Sequence, residues 1–391
     1  LADRLKQKLL PEIDFLIDTN QKDEPKLMLG DAFRTALRQT ASRPFRTVPY
    51  FDPGVWGGQW MKQICGLPQD EANFAWSFDG VPEENSLLFD CRGTIVEIPA
   101  MDLILFCPEA LLGTRVYGRF GAEFPIRFDF LDTMDGGNLS LQVHPLTEYI
   151  QREFGMHYTQ DESYYLLDAE DDACVYLGVK EGVCPQEMIN ALKTAQETGQ
   201  PFDAERYVNR FPAKKHDHFL IPAGTVHCSG KNAMVLEISA TPYIFTFKLY
   251  DWGRLGLDGR PRPIHIEHGE QVIQFDRDTK WVKQNLINAV HTIQEDEHVK
   301  MEHTGLHALE FIETTRIWFD APVTLSRNDS VSMLNLVEGS AAVISSPEGY
   351  FEPYTVHYAE TFILPVRAGD YQIAPLNEKE KCAVIRAEVR G

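Results

Sequence analysis

The apolar positions divide the chain into stretches of different period. Leu5, Leu9, Leu10, Ile13 and Leu16 recur at helical spacing, and Leu27 to Leu37 resume it after a polar break at Asn20 to Glu24. This predicts helix over residues 1 to about 40. From Pro44 onward the runs shorten and sit between Gly, Pro, Asn and Asp, as strands do. Ser86–Phe89, Thr94–Ile98, Leu103–Phe106 and Cys174–Val179 are predicted strands of this kind. Residues 185 to 210 return to helical spacing, with Met188, Ile189, Leu192 and Ala195 on one face. Strands resume at His218–Ile221, Met234–Ile238 and Tyr243–Tyr250, followed by a mixed crossover over 264–297 with helix around Glu270–Ile273. A further series of short strands, from Phe311–Glu313 to Cys382–Val389, closes the chain. The expected fold class is therefore mainly β: two barrels or sandwiches with a helical insertion and a short helical amino-terminal segment. The expected boundaries are 1–50 for that segment, 51–300 for a first domain with its insertion at about 185–212, and 301–391 for a second.

A chain of 391 residues can bury a core of this size. Its formal net charge of -21 argues against nucleic acid and against an anionic membrane surface as partners. It also means that any phosphorylated ligand must be met by local Arg and Lys. The seven cysteines are widely spaced and contain no CxxC pair, which fits a reducing compartment such as the cytoplasm. No apolar run reaches membrane-spanning length. The oligomeric state is not legible.

The chemistry concentrates in Leu139-Ser-Leu-Gln-Val-His-Pro145. Residues two apart in a strand share a face, so Gln142 and His144 project together and Leu141 and Val143 project the other way. Far downstream, Pro222-Ala-Gly-Thr-Val-His227 forms a tight turn that feeds a second imidazole into a strand. An acid completes the set. Glu148 lies four residues after His144, but in a helical pattern where a solvated face is the default. Glu162 alternates with Tyr164 ahead of an apolar run and can point inward, so it is favoured. A set of Gln142, His144, Glu162 and His227 suits one Zn2+, with Fe, Mn, Co or Ni as alternatives. His216 and His218 are expected at the surface or rim. His265-Ile-Glu-His268 lacks the spacing of a metal helix and is read as structural.

Together these residues resemble the class I mannose-6-phosphate isomerases of the cupin superfamily, over roughly residues 51 to 380. The matching pieces include Trp56-Gly-Gly58, the Gln142-Val-His-Pro145 stretch, Glu162-Ser-Tyr-Tyr-Leu-Leu-Asp168, Ile221-Pro-Ala-Gly-Thr-Val-His227 and Tyr250-Asp-Trp-Gly-Arg254. The resemblance implies that Gln142, His144, Glu162 and His227 hold zinc, that Arg254 is the active-site arginine, and that the second barrel lacks ligands. After residue 306 the only histidines are His307 and His357, in no paired motif. The chain departs from the family at two positions that usually carry lysine, here Asp129 and Gln160. Arg127, Lys248 and Arg254 are the basic groups left near the expected pocket.

The implied reaction is aldose–ketose isomerisation through an enediol. It needs an electrophile for the carbonyl oxygen and a base over the C–H. With the lysines absent, a metal-bound hydroxide, Asp129 and Glu237 are all open as the base. Three readings remain at this level. The first is an isomerase of mannose 6-phosphate and fructose 6-phosphate. The second is a same-fold isomerase of a different or unphosphorylated sugar. The third is a metal cupin that binds sugar without turnover.

Overall fold

Alternation fails in the central strands because both faces of the sheet are covered. Arg127–Asp132, Cys174–Val179 and Ala233–Ser239 are buried at every position, so even the charged residues on them, such as Asp129 and Glu237, are enclosed. The computed structural model describes residues 17–18, 26–27, 31–69, 73–91, 94–240, 243–305, 310–326 and 329–390.

Two antiparallel sheets form the first half. One has five strands in the order Val208–Pro212, Cys174–Val179, His227–Ser229, Leu141–Val143, Phe247–Tyr250. The other has six, in the order His218–Ile221, Glu162–Ala169, Ala233–Ser239, Arg127–Asp132, Phe74–Phe78, Tyr50–Gly58. Gly57 serves the close approach of the last two: a Cβ there would lie 2.7 Å from the Phe74 carbonyl. The helix Pro185–Thr198 buries Met188, Ile189, Leu192 and Ala195, the face read from their spacing. The rest of the expected insertion is a short helix, Ala204–Tyr207, and the edge strand Val208–Pro212.

The second half also pairs two sheets. Six strands run in the order His291–Glu295, Val299–His303, Ile312–Phe319, Cys382–Val389, Ser332–Glu338, Thr361–Leu364. Four more run Val323–Leu325, Tyr371–Pro375, Ala341–Ser345, Tyr354–His357. The strand Cys382–Val389 faces two ways. Cys382 and Val384 join a core with Ile317, Phe319, Leu334 and Phe362, while Ala383, Ile385, Ala387 and Val389 join the main core of the molecule. Polar contacts add to this seam: Arg316 donates to the His216 carbonyl at 3.0 Å and Tyr358 Oη to the Leu167 carbonyl at 3.1 Å.

Three expectations are corrected. Leu103–Phe106 is helix, part of Ala100–Phe106, with Leu103 and Ile104 buried and Leu105 and Phe106 exposed. A four-residue apolar run carries no period, and tertiary packing decided it. The amino-terminal helix is confined, within the described residues, to Asp31–Thr40. Ile17–Asp18 and Lys26–Leu27 pair as short antiparallel strands, and Pro25 and Gly30 stand where a continuous helix would have to pass. Residues 1–16 lie outside the described residues.

His218 is the third. It is not a rim residue but wholly enclosed, at 0% exposure, on a strand buried throughout. Neither ring nitrogen has a hydrogen-bond partner among the described residues. Burial, reinforced by Arg316 and His303, pushes its pKa down to about 3. The unfolded chain therefore binds a proton at His218 that the folded chain refuses between about pH 3 and the ordinary value of 6.5. Stability should fall as the pH drops below 6.5, by about 1.4 kcal/mol per pH unit from this residue. Denaturant unfolding of the wild type and His218→Gln at pH 7.5 to 5 should show the wild type losing that increment relative to the variant. Parallel curves would contradict the assignment.

Candidate metal centre

Four side chains from three segments converge on one point between the two sheets of the first half. Gln142 lies opposite His227 in one ladder and opposite Lys248 in the other. His144 follows directly where the short strand Leu141–Val143 ends. Glu162 opens its strand, paired with Ile221 on one side and Ser239 on the other. The turn before His227 depends on Gly224, at φ +88°, where a Cβ would also meet Gln274 Cγ at 2.7 Å. Thr225 closes the turn by donating its N–H to the Pro222 carbonyl at 3.1 Å, and Arg277 clamps the Pro222 and Ala223 carbonyls at 2.8 and 2.5 Å.

The donor chemistry fits a cation. His144 Nδ1 lies 2.9 Å from the Phe245 carbonyl and His227 Nδ1 lies 2.9 Å from the Thr225 carbonyl. A carbonyl only accepts, so each Nδ1 carries the proton and each Nε2 presents its lone pair inward. Those lone pairs face Glu162, whose Oε2 is 3.1 Å from His144 Nε2 and whose Oε1 is 3.0 Å from His227 Nε2. Acceptors held this close, with exposures of 0–1%, repel unless a cation stands among them. The Gln142 amide lies 3.2 Å from His227 Nε2, and a flip of that amide turns its oxygen to the same point. These separations approach the edge of about 3.3 Å that ligand bonds of about 2.0–2.1 Å set in a tetrahedron. Burial alone would raise the Glu162 carboxyl, but positive charge at the imidazoles, carried by protons where no metal stands, outweighs it and holds it well below the usual range. His144 is pushed up in turn, its burial overcome by Glu162.

The centre opens onto a cavity of about 340 Å³. Trp56 and Trp76, edge-to-face at 4.7 Å, line one side of it. Asp129 and Glu237, opposite each other in register, form an acidic wall. Burial pushes Asp129 up to about 7 against the pull of Arg127, whose Nε is 3.3 Å from Oδ1. Gln160 ties this wall to the metal set: its amide nitrogen donates to Glu162 Oε2 at 2.8 Å and Glu237 Oε1 at 3.1 Å, while its oxygen accepts from the Phe245 N–H at 2.8 Å. Lys248, Arg262 and His265 supply the basic lining.

Arg254 does not line this cavity. Its guanidinium donates to the Asn138 carbonyl at 2.5 Å and to Asp251 Oδ1 at 2.6 Å. The same carboxylate holds Arg262 at 3.1 Å and Ser140 at 2.8 Å, so Arg254 reaches the cavity through Asp251 and Arg262. Sequence reasoning missed Arg262 and His265. The signal for His265 was weak, since only the fold shows its N–H bonded to the Lys248 carbonyl at 2.8 Å. His268 meets the structural expectation, packed on Phe247 and bonded to Tyr149. Glu148 is exposed on the helix Thr147–Phe154 and takes no part. Among the described residues, His144, Glu162 and His227 are the one group of three or more His, Cys, Asp or Glu side chains placed to hold a metal ion, with their ligand atoms within 4.8 Å of each other. His357 is exposed and paired with Glu360, and His307 lies outside the described residues. Cys65, Cys107, Cys174, Cys184, Cys228 and Cys382 are free, and no helix among the described residues is long and apolar enough to cross a membrane.

A mainly-β fold with a buried imidazole–carboxylate set defines the class, and known proteins narrow it. The structure of the Bacillus subtilis mannose 6-phosphate isomerase superposes with TM-score 0.71 at 18% identity, covering 89% of this chain and all of that one. A zinc-bound mannose 6-phosphate isomerase superposes at 0.65, with 15% identity and the same coverage. Among curated proteins, mannose-6-phosphate isomerase ManA of Bacillus subtilis is 24% identical over 338 residues, 85% of this chain and 93% of that protein. The Streptococcus mutans mannose-6-phosphate isomerase is 26% identical over 225 residues, 57% of this chain and 65% of that protein. A family model described as a domain of unknown function (DUF8485) matches residues 1–42. The resemblance to the mannose-6-phosphate isomerase family read in the motifs is therefore supported across most of the chain.

One divalent ion per chain is the expected stoichiometry on zinc titration. His144→Ala and Glu162→Ala each remove a donor and should weaken zinc binding by more than the about 10- to 100-fold typical of losing an outer partner, which Gln160→Ala should show. Chelator competition measures all three. Unchanged affinity in His144→Ala would exclude this centre.

Proposed function

We propose that the protein is a zinc-dependent aldose–ketose isomerase that interconverts mannose 6-phosphate and fructose 6-phosphate through an enediol. The observation that carries this reading is the buried set of Gln142, His144, Glu162 and His227 opening onto a cavity with one acidic and one basic wall. The names of the curated relatives and the zinc-bound neighbour support the substrate and the metal. Bound zinc supplies a Lewis acid for the sugar's carbonyl oxygen. The chain's own groups do the rest. Glu237 moves the proton between C1 and C2, because Gln160 ties it to Glu162 and so places it beside the metal set. Lys248 and Arg262 take the negative charge of the substrate and of the enediolate. Arg254 orients Arg262 through their shared carboxylate, Asp251. Residues 51–300 carry the site, and 301–391 form a second unit with no metal-ligand group among its described residues.

The acidic wall favours a second reading, an isomerase of the same fold acting on an unphosphorylated sugar. Asp129 and Gln160 occupy that wall where the family resemblance led to an expectation of lysine. A coupled assay on mannose 6-phosphate and mannose, with and without added zinc, separates the two. Zinc-dependent turnover of mannose 6-phosphate, abolished by chelator and cut about 100-fold or more by His144→Ala, is the expected result. A rate equal to the no-enzyme control in every condition would rule out both isomerase readings.

A further inference from the structure

Asp129 is 2% exposed, lines the cavity, and accepts no hydrogen bond at either carboxylate oxygen among the described residues. Its charge is met from behind by Arg127, which lies over the Phe78 ring at 4.6 Å. A buried carboxylate met by one ion pair and no other donor keeps lone pairs unsatisfied, and whatever enters the cavity has to meet them. Glu237 stands opposite in the ladder and adds a second acid to the same wall. A phosphate group brings acceptors and negative charge, so this wall repels it. A sugar hydroxyl brings the missing donor.

The basic lining is complementary. Arg262 is already engaged by Asp251 and Ser140. Lys248 has no carboxylate within ion-pair distance among the described residues, although burial and the neighbouring guanidinium of Arg262 both disfavour its charge. Its ammonium is the cation left to pair with an anion from outside.

We propose that Asp129 is a specificity residue that reads a sugar hydroxyl by accepting its O–H. The substrate then lies with a hydroxyl on the Asp129–Glu237 wall and its anionic end toward Lys248. This rests on the isomerase reading above and names which end of the substrate each wall takes. The charge-assisted bond is lost when the hydroxyl is lost, and Asp129→Leu removes the acceptor instead.

The test is calorimetric binding to the zinc-loaded protein of mannose 6-phosphate, mannose, and the 3-deoxy and 4-deoxy analogues of mannose 6-phosphate. The wild type should lose about 10- to 100-fold in affinity for one deoxy analogue. Asp129→Leu should bind that analogue and the parent within about threefold of each other, since no acceptor is left to distinguish them. Should the unmatched Arg127 prevent folding, Arg127→Met/Asp129→Leu removes the buried pair together and carries the same expectation. Lys248→Met should weaken mannose 6-phosphate and leave mannose unchanged. Equal loss against every ligand in the Asp129 variants, or a wild type indifferent to both deoxy positions, would overturn the proposal. A wild type that isomerises mannose 6-phosphate with a flat deoxy series sinks this inference alone. One that discriminates the deoxy sugars without turnover sinks the isomerase reading alone.

Discussion

The Glu162 carboxylate, pinned between the Nε2 atoms of His144 and His227, is the constraint on which the rest of the site depends. A carboxylate enclosed to 1% exposure is tolerated only where positive charge compensates it. A cation held among these groups would supply it, and the backbone prepares its place: two carbonyls accept hydrogen bonds from the Nδ1 atoms, and that turns two lone pairs toward the carboxylate. Strand register holds the positions: Glu162 sits between Ile221 and Ser239, and Gln142 sits beside His227. The Gly224 turn and its Arg277 clamp bring His227 in at the right point. The large sheet is buried on both faces, so the donors cannot splay apart to relieve their repulsion.

From that point the cavity inherits its polarity. Gln160 extends the metal set to Glu237, and the ladder extends Glu237 to Asp129. On the other side Asp251 gathers Ser140, Arg254 and Arg262. In a molecule with a net charge of -21, this cavity keeps a cationic face because the buried Asp251 carboxylate fixes Arg254 and Arg262 in place and leaves Lys248 to act. The acidic wall is the feature that sets this chain apart from the pattern its motifs resemble, and it bears on how a sugar lies in the site rather than on the metal.

Much of this was legible beforehand, for identifiable reasons. Gln142 and His144 share a face by strand period alone, and Pro222 and Gly224 announce a turn by their backbone restrictions. Glu162 was preferred over Glu148 because one alternates with a buried tyrosine and the other lies on a helix face, and the fold separates them the same way. What failed was local too. Leu103–Phe106 is too short to show a period. His218 looks polar in sequence, yet its strand is sealed where the second half of the molecule packs against the first. Arg254 is a different case: its motif is local, the fold places its guanidinium on Asp251, and Asp251 also holds Arg262, which lines the cavity.

The sequence by itself determined the elements and the residue types of the metal set, because strand period, turn chemistry and donor type are properties of a few neighbouring residues. Only the tertiary structure decided which charges face the cavity. Asp129 meets Glu237 across 108 positions of sequence, and Gln160 meets it across 77, because three strands lie side by side in one sheet. Pairing between distant strands is set by packing the whole sheet at once, and no local pattern encodes it.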